Sequence, residues 1–377
     1  CYLVGGAVRD QLLDLPVHER DWVVVGGTEA EMLAAGFSRA DAQFPVFVHP
    51  QTGEEYALAR TEIKTGPGYK GFRVASGPDV TLEQDLLRRD LTINALARDE
   101  SGTLIDVCHG QDDLHEGLLR HITPAFIEDP VRLLRIARFA AKLGKWGFRV
   151  AHGTHGLLKK MAASDDLLNL KPERVWREMQ KAITEPEPWR FFEVLQRCGA
   201  LGRLVPEFLQ VMGEGAGHAS PASADALAPL RRAAAMTPSP QVRLAVALFL
   251  PARLAGDTEE FMRRLTLDRE VAERVRDLLI LSPGLLESCQ AKDLLAVMHR
   301  LKPGRQMQRY ADFLLACRAL WPATQAQLGR ALELARQAVA AVAAADLRAQ
   351  GLAGAELGTA LKRQQVKWLS DRLERLS

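Results

Sequence analysis

The stretch Glu19-Arg20-Asp21-Trp22-Val23-Val24-Val25-Gly26-Gly27 decides how this 377-residue chain is read. Three valines after a tryptophan, closed by Gly-Gly, predict a buried strand over 22–25. Positions i and i+2 of a strand face one side, about 6–7 Å apart. Glu19 and Asp21 would therefore present two carboxylates together where the strand begins. Carboxylates so placed can share one or two Mg²⁺ ions, which prefer hard oxygen ligands. A pair of such ions, about 4 Å apart, can hold an attacking hydroxyl and a leaving phosphate. Standing alone, a charged strand entry is usually just solvated.

This one does not stand alone. Upstream, Tyr2-Leu3-Val4 is a short apolar run that stops at Gly5-Gly6, and Ala7 to Leu13 reads as a helix. Glycines at such a turn let backbone N–H groups approach a phosphate, and a helix N-terminus favours anions. Gly6 sits at that turn, and Arg9 lies one turn into the helix, within reach of the same phosphates. Downstream, Phe44 to Val48 and Tyr56 to Ala59 are strand candidates. Pro50-Gln51-Thr52-Gly53 between them predicts an antiparallel hairpin.

From about Leu118 the pattern turns helical. Pro130 to Leu143, Val175 to Thr184, Pro188 to Cys198, Gln241 to Leu250 and most of the chain beyond Glu259 carry helical periodicity. The fold class is therefore α+β, a mixed N-terminal head on a nearly all-helical remainder. Gly213 to Pro240, rich in Ala, Gly, Pro and Ser, reads as a linker or loosely ordered loop. Ala331 to Ala345 reads as an Ala-rich helix.

Two further segments carry chemistry. In Arg88-Arg89-Asp90-Leu91-Thr92-Ile93-Asn94-Ala95 the arginines suit a triphosphate, and Asp90 and Asn94 can hydrogen-bond a ribose hydroxyl. The same segment also suits an ordinary helix start capped by Asp90 or Thr92. In Glu128-Asp129-Pro130-Val131-Arg132 and its continuation, Arg132, Arg135, Arg138 and Lys142 fall on one helical arc. Leu133, Ile136, Ala137 and Ala140 fall on the neighbouring arc and should face a core. Residues 120–149 hold seven Lys or Arg against two acidic residues. Asp129 and Arg132, three apart, can act together. A carboxylate accepts from a base amino group, while a guanidinium donates to ring nitrogens and carbonyls. Together they can select a base as a nucleic-acid strand would.

Bulk composition excludes several classes. Apolar residues make up 47% and charged residues 25%, as in an ordinary soluble globular protein. No apolar run approaches the roughly 20 residues of a membrane span, and no secretory signal is visible. Cys1, Cys108, Cys198, Cys289 and Cys317 are scattered without a CxxC pair. That spacing suggests reduced thiols in a cytoplasm, with neither a disulfide frame nor a zinc site. A net charge of +2 argues against coating nucleic acid by bulk charge but leaves room for a local basic groove. The numbering opens on Cys1, and with Tyr2 already strand-like only a short preceding piece is expected.

YLVGGAVRDQLL, ERDWVVVGGT, RRDLTINALA and EDPVRLLRIARF, in that order over roughly the first 180 residues, resemble the successive motifs of class II tRNA nucleotidyltransferases. Pro172-Glu173-Arg174-Val175-Trp176-Arg177-Glu178 resembles a later motif of that family, one that braces the neck helices. The likeness is greatest to the CCA-adding group of proteobacteria, in a form without a C-terminal phosphohydrolase domain. The resemblance implies a polymerase-beta-like nucleotidyltransferase head followed by helical neck, body and tail. The expected bounds are 1–118 for the head, 119–185 for the neck, 186–255 for the body (with the low-complexity stretch 213–240) and 256–377 for a tRNA-binding tail. Glu19 and Asp21 match the family's metal-binding carboxylates, although the first is often Asp. Glu55 on the next strand is a candidate third. Gly6, Arg9, Arg89, Arg135 and Arg138 match nucleotide-binding positions, Asp90 the ribose contact, and Asp129 with Arg132 the pair that reads the base.

The implied activity is template-independent addition of CCA to tRNA 3′ ends, and repair of damaged ends, from CTP and ATP with Mg²⁺ as cofactor and pyrophosphate released. The implied partners are tRNA, ATP and CTP, with no membrane and no protein partner, in the cytoplasm. A poly(A) polymerase or a partial CC- or A-adding enzyme shares the head motifs. Phe44-Pro45-Val46-Phe47-Val48-His49 and the Trp after Asp21 favour the CCA-adding group. A non-catalytic tRNA-binding protein would keep the basic helix and lose the carboxylates. The chain has no His-Asp dipeptide, so no phosphohydrolase activity is expected. Gly66-Pro67-Gly68-Tyr69-Lys70-Gly71 fits GxGxxG, but with Pro67 inside it and no helical pattern after it, it is a poor dinucleotide fingerprint. In the family this region resembles a flexible catalytic loop. His152 and His155, flanked by glycines, lack an acidic partner for a metal site.

Overall fold

The computed structural model describes residues 1–40, 44–66, 72–212, 225–280, 289–323 and 325–375. These fall into two compact units, Cys1–Pro206 and Glu207–Ser377. Pro206 lies inside the stretch 186–255 read from sequence as the body.

The first unit opens with β1 (Tyr2–Val4) and α1 (Gly6–Leu12), then β2 (Asp21–Val24), α2 (Glu29–Ala34), β3 (Ser38–Arg39), β4 (Val46–Val48) and β5 (Glu55–Leu58). A hairpin of β6 (Arg60–Lys64) and β7 (Phe72–Ser76) leads to α3 (Leu82–Leu87). After it come β8 (Leu96–Arg98), β9 (Leu104–Asp106) and α4 (Gly110–Glu116). Seven strands make one mixed sheet, ordered β3-β4-β5-β2-β1-β8-β9. β2 and β5 pair in parallel; the other neighbours in that sheet are antiparallel. The expected β4–β5 hairpin forms around Pro50–Gly53, where Gly53 takes a φ of 71°.

Register assigns each side chain to a face. On one face Leu3 and Trp22 pack with Ala7 and Val8 of α1, and Phe47 and Leu58 pack with Met32 of α2. On the other, Val4 and Val23 pack with Leu86 of α3 and Ala95. One row of partners crosses the sheet from Val4 to Asp21 to Glu55 to Val48. Alternation along a strand therefore sends Asp21 and Glu55 to the face of Val23 and Ala57. β2 begins at Asp21, so Glu19 lies in the segment entering the strand, not in the strand itself.

The helical part of this unit holds α5 (Val131–Leu143), α6 (His152–Ala163), α7 (Pro172–Thr184) and α8 (Trp189–Cys198). The arc expected to face a core does so: Leu133, Ile136, Ala137 and Ala140 are buried. α5 packs on α7 and α8, whose Val175, Met179, Ile183, Phe191, Phe192 and Leu195 are also buried. Each such Leu, Ile or Phe contributes about 2 kcal/mol by leaving water.

Among the described residues of the second unit the regular structure is all helix. Its core includes Phe249, Phe261, Leu294, Phe313 and Leu332. Asp277 is also buried, and is held by Arg300 at 2.8 Å and Arg309 at 2.6 Å. The linker reading of Gly213 to Pro240 is corrected in part. Ala228–Met236 is a helix, anchored by buried Leu230 and by Arg243, which donates to the carbonyls of Ala234 and Thr237 at its end. Residues 213–224 lie outside the described residues, as do Pro67–Gly71 of the GxGxxG stretch. The helix expected over Gln241 to Leu250 runs from Pro240 to Leu254 and carries Pro251 inside it.

Candidate active site

A cavity of about 750 Å³ opens on the Asp21 face of the sheet and is walled by α1, α5 and α7. Gly6, Arg9, Glu19, Asp21, Arg89, Asp90, Asp129, Arg132, Arg135 and Arg138 all line it, and so does Glu55. Eleven Arg or Lys and seven Asp or Glu face it in total.

Glu19, Asp21 and Glu55 line the cavity's sheet-side floor. Burial raises the Asp21 carboxyl above its ordinary pKa; Arg89 pulls it back, and the neighbouring Glu19 raises it further. A buried carboxylate beside a second acid and an open cavity gains from a cation. Mg²⁺ is commonly bound through one or two carboxylates plus substrate phosphates. The donor set of Glu19 and Asp21, with Glu55 in register beside Asp21, fits it. Among the described residues no three or more His, Cys, Asp or Glu gather at metal-binding distance, Glu19, Asp21 and Glu55 included, so the substrate phosphates would have to complete the ion's oxygen shell.

The glycine turn abuts this floor. Gly5 has a φ of 70°, and a Cβ there would stand 2.8 Å from the Arg89 guanidinium. Glycine thus serves both the left-handed backbone and the close approach of Arg89. Arg89 is fixed by Asp85 of α3 at 3.1 Å. Asp85 is fully buried and also takes Arg88 and the Arg60 N–H. Burial raises the Asp85 carboxyl, but Arg88 and Arg89 outweigh that and hold it below its ordinary value. α3 is itself set by a capping box between Thr81 and Gln84.

Arg9 is not an outstretched arm. It is buried, its guanidinium bound to Asp10 at 2.8 Å and to the Asn94 side chain. Asp10 also takes Lys142 of α5 at 2.9 Å. Asn94 donates to Asp90 at 2.9 Å, and Asp90 takes Arg135 at 2.7 Å. A chain of charges thus ties α1, the segment after α3, and α5 into one frame. The helix start read at Asp90 or Thr92 is only a single 3₁₀ turn, Thr92–Asn94, that delivers the chain into β8. The Asp90 carboxylate caps Leu91 N–H there.

Asp129 sits just ahead of α5 in an extended conformation and accepts from Val131 N–H at 3.1 Å. Arg132 donates to the Arg88 carbonyl at 2.8 Å and lies over the Phe126 ring. Both side chains are half-buried on the cavity wall.

Sequence reasoning missed part of the wall. Arg174, Arg177, Glu178 and Lys181 of α7 line the cavity beside α5. Glu178 holds Arg138 at 2.8 Å, and Arg174 stands 4.0 Å from Asp129. Spacings of three and four put them on one helix face, a signal as readable in the sequence as the arc on α5. Asp10 and Asp85 gave no such signal, because their partners are distant in the chain. His152 and His155 lie on α6, outside this wall.

Comparisons with known proteins agree with this geometry. Residues 1–120 match the family profile described as "Poly A polymerase head domain", and residues 147–212 match "Probable RNA and SrmB-binding site of polymerase A". The chain is 44% identical to a multifunctional CCA protein of Thioalkalivibrio sulfidiphilus, over 98% of this chain and 97% of that one. It is 43% identical to a CCA-adding enzyme of Pseudomonas putida, over 98% of each. A solved tRNA nucleotidyltransferase, in complex with a primer tRNA and an incoming ATP analogue, superimposes with a TM-score of 0.64 at 25% identity. That match covers 89% of this chain and 95% of the other.

Proposed function

The chain belongs to the CCA-adding tRNA nucleotidyltransferase family, and from that premise we propose how its own residues carry the reaction. It adds C, C and A to the 3′ end of tRNA from CTP and ATP. The reaction joins the tRNA 3′ hydroxyl oxygen to the α-phosphorus of the incoming nucleotide and expels pyrophosphate. Such a reaction asks the protein chiefly for positioning and charge neutralisation.

Glu19 and Asp21 hold the divalent cation, which is Mg²⁺, and Glu55 stands by as a third carboxylate. When bound, the ion neutralises the triphosphate and favours the ionised form of the attacking hydroxyl. The Gly6 turn offers backbone N–H groups to the phosphates, and Arg89 brings a fixed positive charge to the same place. Asp90 meets the ribose, and Arg135 and Arg138 meet the nucleotide. Arg9 holds the frame through Asp10 and Asn94. Asp129 accepts from the amino group that C and A both carry, and Arg132 donates to the ring positions beside it. Residues 1–118 supply the catalytic face and 119–185 the base-reading face. Residues 147–212 and the helices beyond them contact the tRNA by shape and phosphates. The protein works in the cytoplasm, where bacterial tRNA matures.

One observation carries this reading: ten positions from four separated sequence segments line a single cavity. The experiment is to supply tRNA lacking its CCA end with Mg²⁺, CTP and ATP, and to sequence the products. Three added residues, CCA, are expected. A long adenosine tail would assign the chain to poly(A) polymerases instead, and a product ending at CC or A alone would make it a partial enzyme.

A further inference from the structure

The cavity's positive charge is mostly committed. Of its eleven cations, nine already have a protein acceptor. Arg9 and Lys142 share Asp10; Arg88 and Arg89 share Asp85; Arg60 takes Glu62; Arg135 takes Asp90; Arg138 takes Glu178. Arg132 donates to a carbonyl, and Arg174 stands at the Asp129 carboxylate. Among the described residues Arg177 and Lys181 alone line the cavity with no acidic or carbonyl partner. They are exposed and four apart on α7, so they stand side by side on one face. The acidic residue between them in the chain, Glu178, is engaged by Arg138.

We infer that Arg177 and Lys181 form a subsite for the backbone phosphates of the RNA 3′ strand. This rests on the function proposed above and goes beyond it in naming which cations grip the acceptor. A fixed frame of paired charges suits a small nucleotide, which needs orientation. Unpaired, exposed cations at the rim suit a polyanionic strand that must slide outward by one residue after each addition. Their charge is available without first breaking an internal pair, and they lie in the stretch assigned above to RNA contact. The nucleotide's triphosphate has its own cradle at Gly6, Arg89 and Asp21, on the sheet side of the cavity.

The test uses full-length Arg177→Gln, Lys181→Gln and double variants, with Arg177→Lys/Lys181→Arg as the charge-keeping control. Melting temperatures are measured alongside; both side chains are exposed, so they should not move. Binding of tRNA lacking CCA is titrated by fluorescence anisotropy between about 50 and 200 mM salt. KM is measured separately for tRNA and for CTP. In the double Gln variant, tRNA binding should weaken by about tenfold. The slope of log K against log salt should become shallower by about 1.5. KM for CTP should stay within about twofold (a change of roughly 0.4 kcal/mol), and the charge-keeping variant should retain the wild-type slope. An unchanged salt slope overturns the inference, and so does a rise in KM for CTP with tRNA binding intact. If wild-type protein adds no CCA at all, the underlying reading fails. If it does add CCA and the slope is unchanged, this inference alone fails.

Discussion

Arg135 and Asp90 stand 2.7 Å apart across the boundary between α5 and the segment that follows α3. Burial pushes the Asp90 carboxyl up, but the Arg135 charge and the Asn94 hydrogen bond outweigh it and hold it well below its ordinary value of 3.8. The pair is thus both a contact in the site and part of what fixes α5 against the head.

Asp90→Asn should therefore destabilise the first unit by about 1–2 kcal/mol at neutral pH, because it removes the buried counter-charge of Arg135, a side chain that water partly screens. A carboxyl with a depressed folded-state pKa contributes stability that is fully present above 3.8. That contribution is lost as pH falls through the lower folded-state value. Urea midpoints of variant and wild type should accordingly lie far apart at pH 7 and converge in strong acid. A gap that widens on acidification would reverse the assignment.

Gly5→Ala should cost stability and nucleotide affinity together. The left-handed backbone at 70° penalises a side chain by about 1–2 kcal/mol. The new methyl would also press on the Arg89 guanidinium, 2.8 Å away. KM for CTP should rise along with a lowered melting temperature. A lowered melting temperature with KM unchanged would detach the turn from phosphate binding.

Asp129→Ala and Arg132→Ala should relax the choice of base more than they slow the chemistry. Loss of a charged hydrogen bond of about 2 kcal/mol corresponds to roughly 30-fold in kcat/KM for CTP. UTP and GTP should gain ground relative to CTP and ATP. Sequencing of products made from all four nucleotides checks this, and unchanged fidelity in both variants would remove the pair from base reading.

The sequence displayed the parts of this fold that depend on local rules. β1, the Gly5 turn and α1 follow from an apolar run, two glycines and the start of helical spacing. α5, α7 and α8 follow from periodicity long enough to outweigh chance. The shorter pieces did not show. β3 has two residues and β9 three, too few for alternation to register. Thr92–Asn94 carries capping residues but stops after one turn, because the chain must enter β8. Ala228–Met236 was hidden by the composition around it, where prolines and alanines read as a linker. In the site, the residues on motif faces were legible one segment at a time. What holds them was not: the Arg9–Asn94 and Lys142–Asp10 pairs join residues 85 and 132 positions apart. Only the packed tertiary structure brings such partners within reach.

Loss of Glu19 and Asp21 together should remove the ion on which the transfer depends. The direct measurement is the rate of CCA addition to tRNA lacking its end, at saturating Mg²⁺, CTP and ATP, for wild type and for Glu19→Ala/Asp21→Ala. The expected result is a fall of at least about a hundredfold, with tRNA binding and melting temperature retained. A double variant that adds CCA within a few-fold of the wild-type rate would contradict the account.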